Sequence, residues 1–228
     1  LLVLIVTLIC IPLAWDASHY LFGFGNLLTT FAPSSAIAVK MHTFLQSPEF
    51  WGHWSRTMCT MLIGYAIGIV IGLVYGVWAS GWYTGRGSYG GLLVCIFGVP
   101  KTLLIPILMA WFGFRSSGPA IFVAALTTFL PVSLATFLGL ISAPRDEIEA
   151  AQILGARTLT VYWSIGRPHA IPIFLMGCLY GYNAALPTLI AAEMIGGGKG
   201  LGYFIHERYA LGDIAGAYAL VPLLAIPN

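Results

Sequence analysis

Four stretches, residues 57–80, 91–112, 118–141 and 169–192, are almost purely apolar, and Lys101 is the only Lys, Arg, Asp or Glu in any of them. Each is at least as long as the ~20 residues a helix needs to cross a bilayer. Two shorter apolar runs, 1–15 and 214–228, stand at the ends and bring the expected number of spans to about six. Strands do not fit, because the runs are too long and show no alternation of period two. Hydrophobic residues make up 59% of the chain and charged residues 8%, against about a quarter charged in an ordinary soluble domain. With a mean hydropathy of +0.89, the chain cannot cover itself with polar surface. The expected fold class is an all-α membrane protein, a polytopic helical bundle.

The second span carries glycine at every fourth position, Gly64, Gly68, Gly72 and Gly76. At 3.6 residues per turn these lie along one stripe and leave a groove that another helix backbone can enter. Packing within one subunit is favoured over a contact between two. Prolines are expected to break most of the other spans: Pro100 and Pro106, Pro131, Pro172 and Pro187, and Pro222. Each removes a backbone donor and kinks its helix. Broken helices at membrane depth are tolerated where they line a cavity or pack on protein. Lys101 directly follows Pro100. Counted from Gly91 at 1.5 Å per residue it lies ~15 Å deep, half of a ~30 Å hydrocarbon core. A lysine that deep faces protein or a watery cavity, since exposure to lipid costs ~3 kcal/mol or more. The competing reading is a lysine that snorkels to the interface from a span that starts later.

The connections 16–50, 81–90, 113–117, 142–168 and 193–213 are polar or glycine-rich, and 142–168 is the one with helical patterning. Asp146, followed three residues later by Glu149, suits an N-cap with its capping-box partner. The acids Asp146, Glu147 and Glu149 favour a helix N-terminus, and Gly155 suits the C′ position that ends the helix. Thr158 is then placed to cap a second short helix running toward Gly166. The product is helix, glycine turn, helix, with Ala150, Ala151 and Leu154 on a small-residue face. A helix this short is marginal in water alone, so it is expected to dock on a partner outside the membrane. Basic residues do not orient the chain: Arg86, Arg145, Arg157 and Arg167 fall on one side, and Lys40, Arg115, Lys199 and Arg208 on the other.

Residues Glu149-Ala150-Ala151, then Gly155, Ile165 and Pro168, resemble the cytoplasmic loop of binding-protein-dependent ABC importer permeases. Trp51 to Thr57, Pro100-Lys101 with Pro106, Trp111-Phe112-Gly113, Ala191-Ala192-Glu193-Met194 and Gly200-Leu201-Gly202-Tyr203 extend the resemblance over roughly residues 50–215, to the nitrate/sulfonate/taurine branch. The chain departs from it at Ile165-Gly166-Arg167-Pro168, where the resembled loop ends Ile-x-Leu-Pro.

The resemblance implies a type I ABC importer permease fold in the bacterial inner membrane, with loop 142–168 and both termini in the cytoplasm. Residues 1–50 would form a truncated first transmembrane helix and an external loop, and 51–228 the permease core. The implied partners are a cytoplasmic ABC ATPase dimer, a second permease subunit in a homo- or heterodimer, an external or periplasmic substrate-binding protein, and membrane lipid. Glu149, Ala150, Ala151, Leu154, Gly155 and Pro168 would couple to the ATPase, and Pro100, Lys101, Asn183 and Glu193 would belong to the path of a small anion such as nitrate, a sulfonate or taurine. ATP and Mg would sit on the ATPase, with no cofactor in this chain.

Other classes fit less well. Gly196-Gly197-Gly198-Lys199-Gly200 is not a phosphate-binding loop, because glycine follows Lys199 and Glu193 stands where the first glycine is required. The histidines His19, His42, His53, His169 and His206 include no His-Glu-x-x-His pair, so no zinc protease is expected. Cys10, Cys59, Cys95 and Cys178 lie in apolar runs without metal-type spacing and read as small buried hydrophobes. A net charge of +2 is too small to point to nucleic acid. The alternative is an ion-gradient-driven secondary transporter, for which inverted repeats and intramembrane acids are expected; no clear repeat is visible and the acids cluster in loops. The chain starts without an initiator methionine and stops inside an apolar run. Both ends are therefore expected to be trimmed, and residues 1–15 to be a remnant span rather than a signal peptide.

Overall fold

The computed structural model describes residues 10, 13–17, 32–80, 100–196 and 198–224. All regular structure among them is helical: α1 (Ser34–Gln46), α2 (Pro48–Ala79), a 3-10 turn (Lys101–Leu104), α3 (Ile105–Phe112), α4 (Gly118–Ile141), α5 (Arg145–Ile153), α6 (Thr158–Val161), a π-turn (Tyr162–Gly166), α7 (Arg167–Gly196), α8 (Leu201–Ala210) and α9 (Ile214–Leu223). Among the described residues three helices are long and apolar enough to cross a membrane: Pro48–Ala79, Gly118–Ile141, and Thr158–Gly196, in which α6, the π-turn and α7 run on continuously. They contain the expected spans 57–80, 118–141 and 169–192. The expected spans 1–15 and 91–112, with the end of 214–228, lie partly outside the described residues.

The chain divides into two compact units, 58–198 and 1–57 with 199–228. In the first, α4 is the central helix. Along α2 the glycines meet it in register: a Cβ built on Gly64 would lie 2.7 Å from the Ala124 Cβ, on Gly68 2.6 Å from the Thr128 Cβ, on Gly72 2.9 Å from the Val132 Cβ, and on Gly76 2.5 Å from the Thr136 Cβ. Both partners advance by four, so the helices run parallel and backbone lies on backbone. The carbonyl oxygens of Ile121, Ala125, Phe129 and Ser133 sit within 3.0 Å of those virtual Cβ atoms, an approach only glycine permits. The stripe therefore packs within the subunit, as favoured. A second seam that the sequence reading missed joins α4 to α7. Gly139 lies against Ala170, Gly177 against Ala135 and the Pro131 carbonyl, and Gly181 against Thr128, so these two helices run antiparallel. Tyr65 of α2 donates to the Cys178 carbonyl of α7 at 3.1 Å.

Hydroxyls inside α4 bond back to its own turns. Thr127 donates to the Val123 carbonyl and Thr136 to that of Val132, both at 2.7 Å, the usual way a threonine is satisfied inside a helix. Thr128, between Gly68 and Gly181, is buried and its Oγ1 has no hydrogen-bond partner. The prolines require a correction. Pro131, Pro172, Pro187 and Pro222 stand inside continuous helices; each removes one donor, and the remaining ladder and the packed neighbours hold the helix together. Pro100 and Pro106 stand at starts instead: Pro100 precedes the 3-10 turn, and Pro106 sits in the first turn of α3, where a proline is tolerated.

The other unit is held by polar contacts. Lys40 of α1 pairs with Asp213 at 2.9 Å, and Arg208 of α8 with Glu49 at 3.0 Å. Asp213 also accepts from Gly216 N–H and caps α9. Partial burial works to raise its carboxyl pKa, but the hydrogen bonds from Lys40 and Gly216, with the charges of Lys40 and Arg208, outweigh it and hold the group below its ordinary value. The start of α8 rests on the first turns of α2: Thr57 Oγ1 accepts from Leu201 N–H at 2.7 Å and His53 Nδ1 from Gly200 N–H at 3.2 Å. These acceptors satisfy the N–H groups of Gly200 and Leu201, which the geometry of a helix start leaves without an intrahelical partner. The His53 ring lies flat on Phe204, centroids 4.8 Å apart.

Candidate functional site

The Gly139–Ala170 contact brings the end of α4 and the start of α7 together. At the opposite end Arg115 N–H donates to the Gly196 carbonyl at 3.0 Å. Loop 142–168 therefore projects from one end of this unit. Its helix α5 begins at Arg145, with Asp146 and Glu147 in the first turn, where carboxylates favour the positive end. Pro144 occupies the N-cap position and no side chain caps it, so Asp146 is not the N-cap and forms no capping box with Glu149. The proline's fixed φ starts the helix two residues earlier than the acidic pattern implies.

The far end follows expectation. Gly155 has φ +85, its N–H reaches the Gln152 carbonyl at 2.9 Å, and Ala156 N–H reaches that of Ala151 at 2.9 Å. This pair of bonds is a Schellman motif with Gly155 at C′. A second correction follows it. Arg157, not Thr158, is the N-cap of α6, and the helix passes through Gly166 into α7 by way of the π-turn. No side chain of α5 is buried. Glu149, Ala150 and Gly155 are exposed, Ala151 is half-buried, and Pro168 lies exposed at the start of α7. Leu154 is 88% exposed and its neighbour Ile153 85%. Ile153 is not among the residues singled out from the sequence; its place beside Leu154 at the end of a helix that opens on Arg145, Asp146 and Glu147 is the signal that could have done so.

The four path candidates occupy different positions. Lys101, half-buried, opens the 3-10 turn, and Pro100 before it is exposed. Four residues of 3-10 helix at ~2.0 Å and eight of α-helix at ~1.5 Å place Lys101 roughly 20 Å from the turn at 113–117. The count from Gly91 lies outside the described residues. Asn183 is exposed near the middle of α7, whereas Glu193, in its last turn, is buried at 7% exposure. Among the described residues no cluster of His, Cys, Asp or Glu could hold a metal.

The model of the family described as binding-protein-dependent transport system inner membrane component matches residues 68–227. The chain belongs to this family. Its members are transport permeases rather than enzymes, and the match takes in α4, loop 142–168 and all of α7. A probable ABC transporter permease of Brucella melitensis is 35% identical over 116 residues, 51% of this chain and 47% of its own length, so the chain spans about half of that relative. The riboflavin transport system permease RibX of Chloroflexus aurantiacus is 31% identical over 97% of this chain and 81% of its own length. The putative aliphatic sulfonates transport permease SsuC of Escherichia coli is 32% identical over 78% and 68%.

Proposed function

We propose that this chain is the membrane-spanning subunit of an ATP-driven ABC importer in the bacterial inner membrane. Two such subunits form the path, and a binding protein delivers the solute from outside. Loop 142–168 faces the cytoplasm and enters a groove of an ABC ATPase, which holds ATP and Mg. The observation that carries the reading is α5: a short helix with no buried side chain, closed by a Schellman turn, that presents Ile153 and Leu154 to solvent. An exposed apolar pair on a helix too short to stand alone needs a partner surface. Family membership supports that partner being the ATPase.

The solute on this reading is a small organic or inorganic anion. Lys101 is the one charge in the apolar stretch leading to α3; on this reading it stands within the membrane, where a cation offsets the desolvation of an anion. Asn183, polar and exposed on a spanning helix, supports a water-filled face of α7. The sulfonate named for the Escherichia coli relative is such an anion. Riboflavin, named for the Chloroflexus relative, is a different solute at similar identity, which fits a reading in which the binding protein carries much of the substrate choice.

The test is reconstitution with the ATPase and binding protein in vesicles. ATP-dependent uptake of the anion is expected from the wild type. Lys101→Met should keep the ATPase bound while uptake falls about tenfold or more, the loss of ~1.4 kcal/mol or more in crossing the barrier. Uptake without ATP, driven by an ion gradient, would overturn the ABC reading; wild-type uptake by Lys101→Met would remove the lysine from the path.

A further inference from the structure

Arg167 stands where the resembled loop has leucine, and its surroundings show what the charge can do. Its guanidinium lies over the Trp163 ring, 5.0 Å from the centroid, and that ring is 54% exposed. An aromatic ring accepts little from the guanidinium's N–H groups, so a neighbour of this kind leaves them for a planar, two-pronged acceptor. No carboxylate competes nearby in sequence, because residues 150–192 contain no Asp or Glu. Among the described residues the two ion pairs, Lys40–Asp213 and Arg208–Glu49, lie elsewhere.

Depth follows from packing. Gly139 contacts Ala170 three residues from Arg167, and α4 ends two residues after Gly139, at Ile141, having run for 24 residues. That length is ~36 Å, slightly more than a ~30 Å hydrocarbon core, so Ile141 and Ala170 mark its edge. Arg167 is ~4.5 Å and Trp163 ~10 Å further along the helix, at headgroup level. The continuous helix 158–196 has 39 residues, ~58 Å, and must leave part of itself outside the core. Tryptophan is favoured at this level, and arginine there is drawn to anionic lipid.

We propose that Arg167, held by Trp163, binds the phosphate of an anionic phospholipid headgroup at the end of the bundle that carries loop 142–168. This requires only that the long helices span the bilayer and does not depend on the ATPase reading. The full chain is placed in nanodiscs of phosphatidylcholine, with or without phosphatidylglycerol, and its melting temperature and retained lipid are measured, the latter by native mass spectrometry. Phosphatidylglycerol should raise the wild-type melting temperature and remain bound. Arg167→Leu should retain it ~10-fold less well, as expected for loss of hydrogen bonds to a charged group. Arg167→Lys, which keeps the charge without the fork, should fall between. The proposal is overturned if Arg167→Leu and Arg167→Lys respond to phosphatidylglycerol as the wild type does. It is equally overturned if inorganic phosphate in phosphatidylcholine discs gives the same protection, which would assign the site to a free anion. An Arg167 effect seen only with the ATPase present would assign the residue to that partner instead.

Discussion

Gly68 and Gly155 are the same residue used for opposite reasons. At Gly68 the backbone is ordinary helix, and what excludes a side chain is the α4 backbone, with the Ala125 carbonyl oxygen 2.6 Å from a virtual Cβ. At Gly155 nothing lies within 4 Å of that position, and what excludes most side chains is φ +85. One glycine is required by a neighbour and the other by its own dihedral. The difference separates the two tasks of the molecule: the glycine seams hold the spans together, and the loop turn shapes a surface that presents Ile153 and Leu154 to solvent.

Substitution at the seam should produce the largest effect. Gly68→Leu or Gly72→Leu forces α2 away from α4 and destabilises the spans by at least the ~1–3 kcal/mol of an overpacked core. A large fall in melting temperature of the solubilised protein is expected, and an unchanged melting curve for both variants would mean that the seam is not a close contact. At Gly155 a smaller and differently placed effect is expected. Val there is strained by ~1–2 kcal/mol in the left-handed region, so Gly155→Val should lower transport and ATPase co-purification, as should Glu149→Lys, with the melting of the spans nearly unchanged. Gly155→Asn should retain most function, since asparagine tolerates that region, whereas Gly68→Asn should melt like Gly68→Leu. If Asn and Val behave alike at Gly155, the dihedral is not what selects the glycine.

The smallest effect probes the space between the seams. Thr128 faces both Gly68 and Gly181 with an unpartnered hydroxyl, and an unsatisfied buried polar group costs ~1–3 kcal/mol. Thr128→Val keeps the shape and removes that group, so the melting temperature should stay level or rise by a few degrees. A clear fall would show that the hydroxyl has a partner in the working protein.

How legible each element was depended on whether its signal is local. The span 118–141 was read to its residue bounds because the turns on either side contain glycine, serine and proline. Gly155 was read correctly because a C′ glycine after a short helix is determined within one turn. The start of α5 was misread: Pro144 and the pair Asp146–Glu149 make competing local signals, and the proline prevailed. Residues 158–166 were read as a separate helix because Gly166 and Pro168 look like terminators, yet a π-turn carries the chain through them. Ile153 was passed over because its exposure depends on the absence of any neighbour, which no local pattern encodes.

By itself the sequence determined that this chain is a helical membrane protein, since runs of bilayer length with so little charge leave the backbone no solvent and oblige it to bond within each segment. It also determined the glycine stripe and the helix-ending turn at Gly155, which follow from periodicity and from one residue's dihedral freedom. Tertiary structure alone decided that the stripe of α2 faces α4 in parallel register and that Gly177 and Gly181 of α7 close on an adjoining face of α4, sharing Thr128 and Val132 with the stripe. Each of these depends on which surfaces meet across the bundle, and contacts between residues distant in sequence are set by shape and depth together.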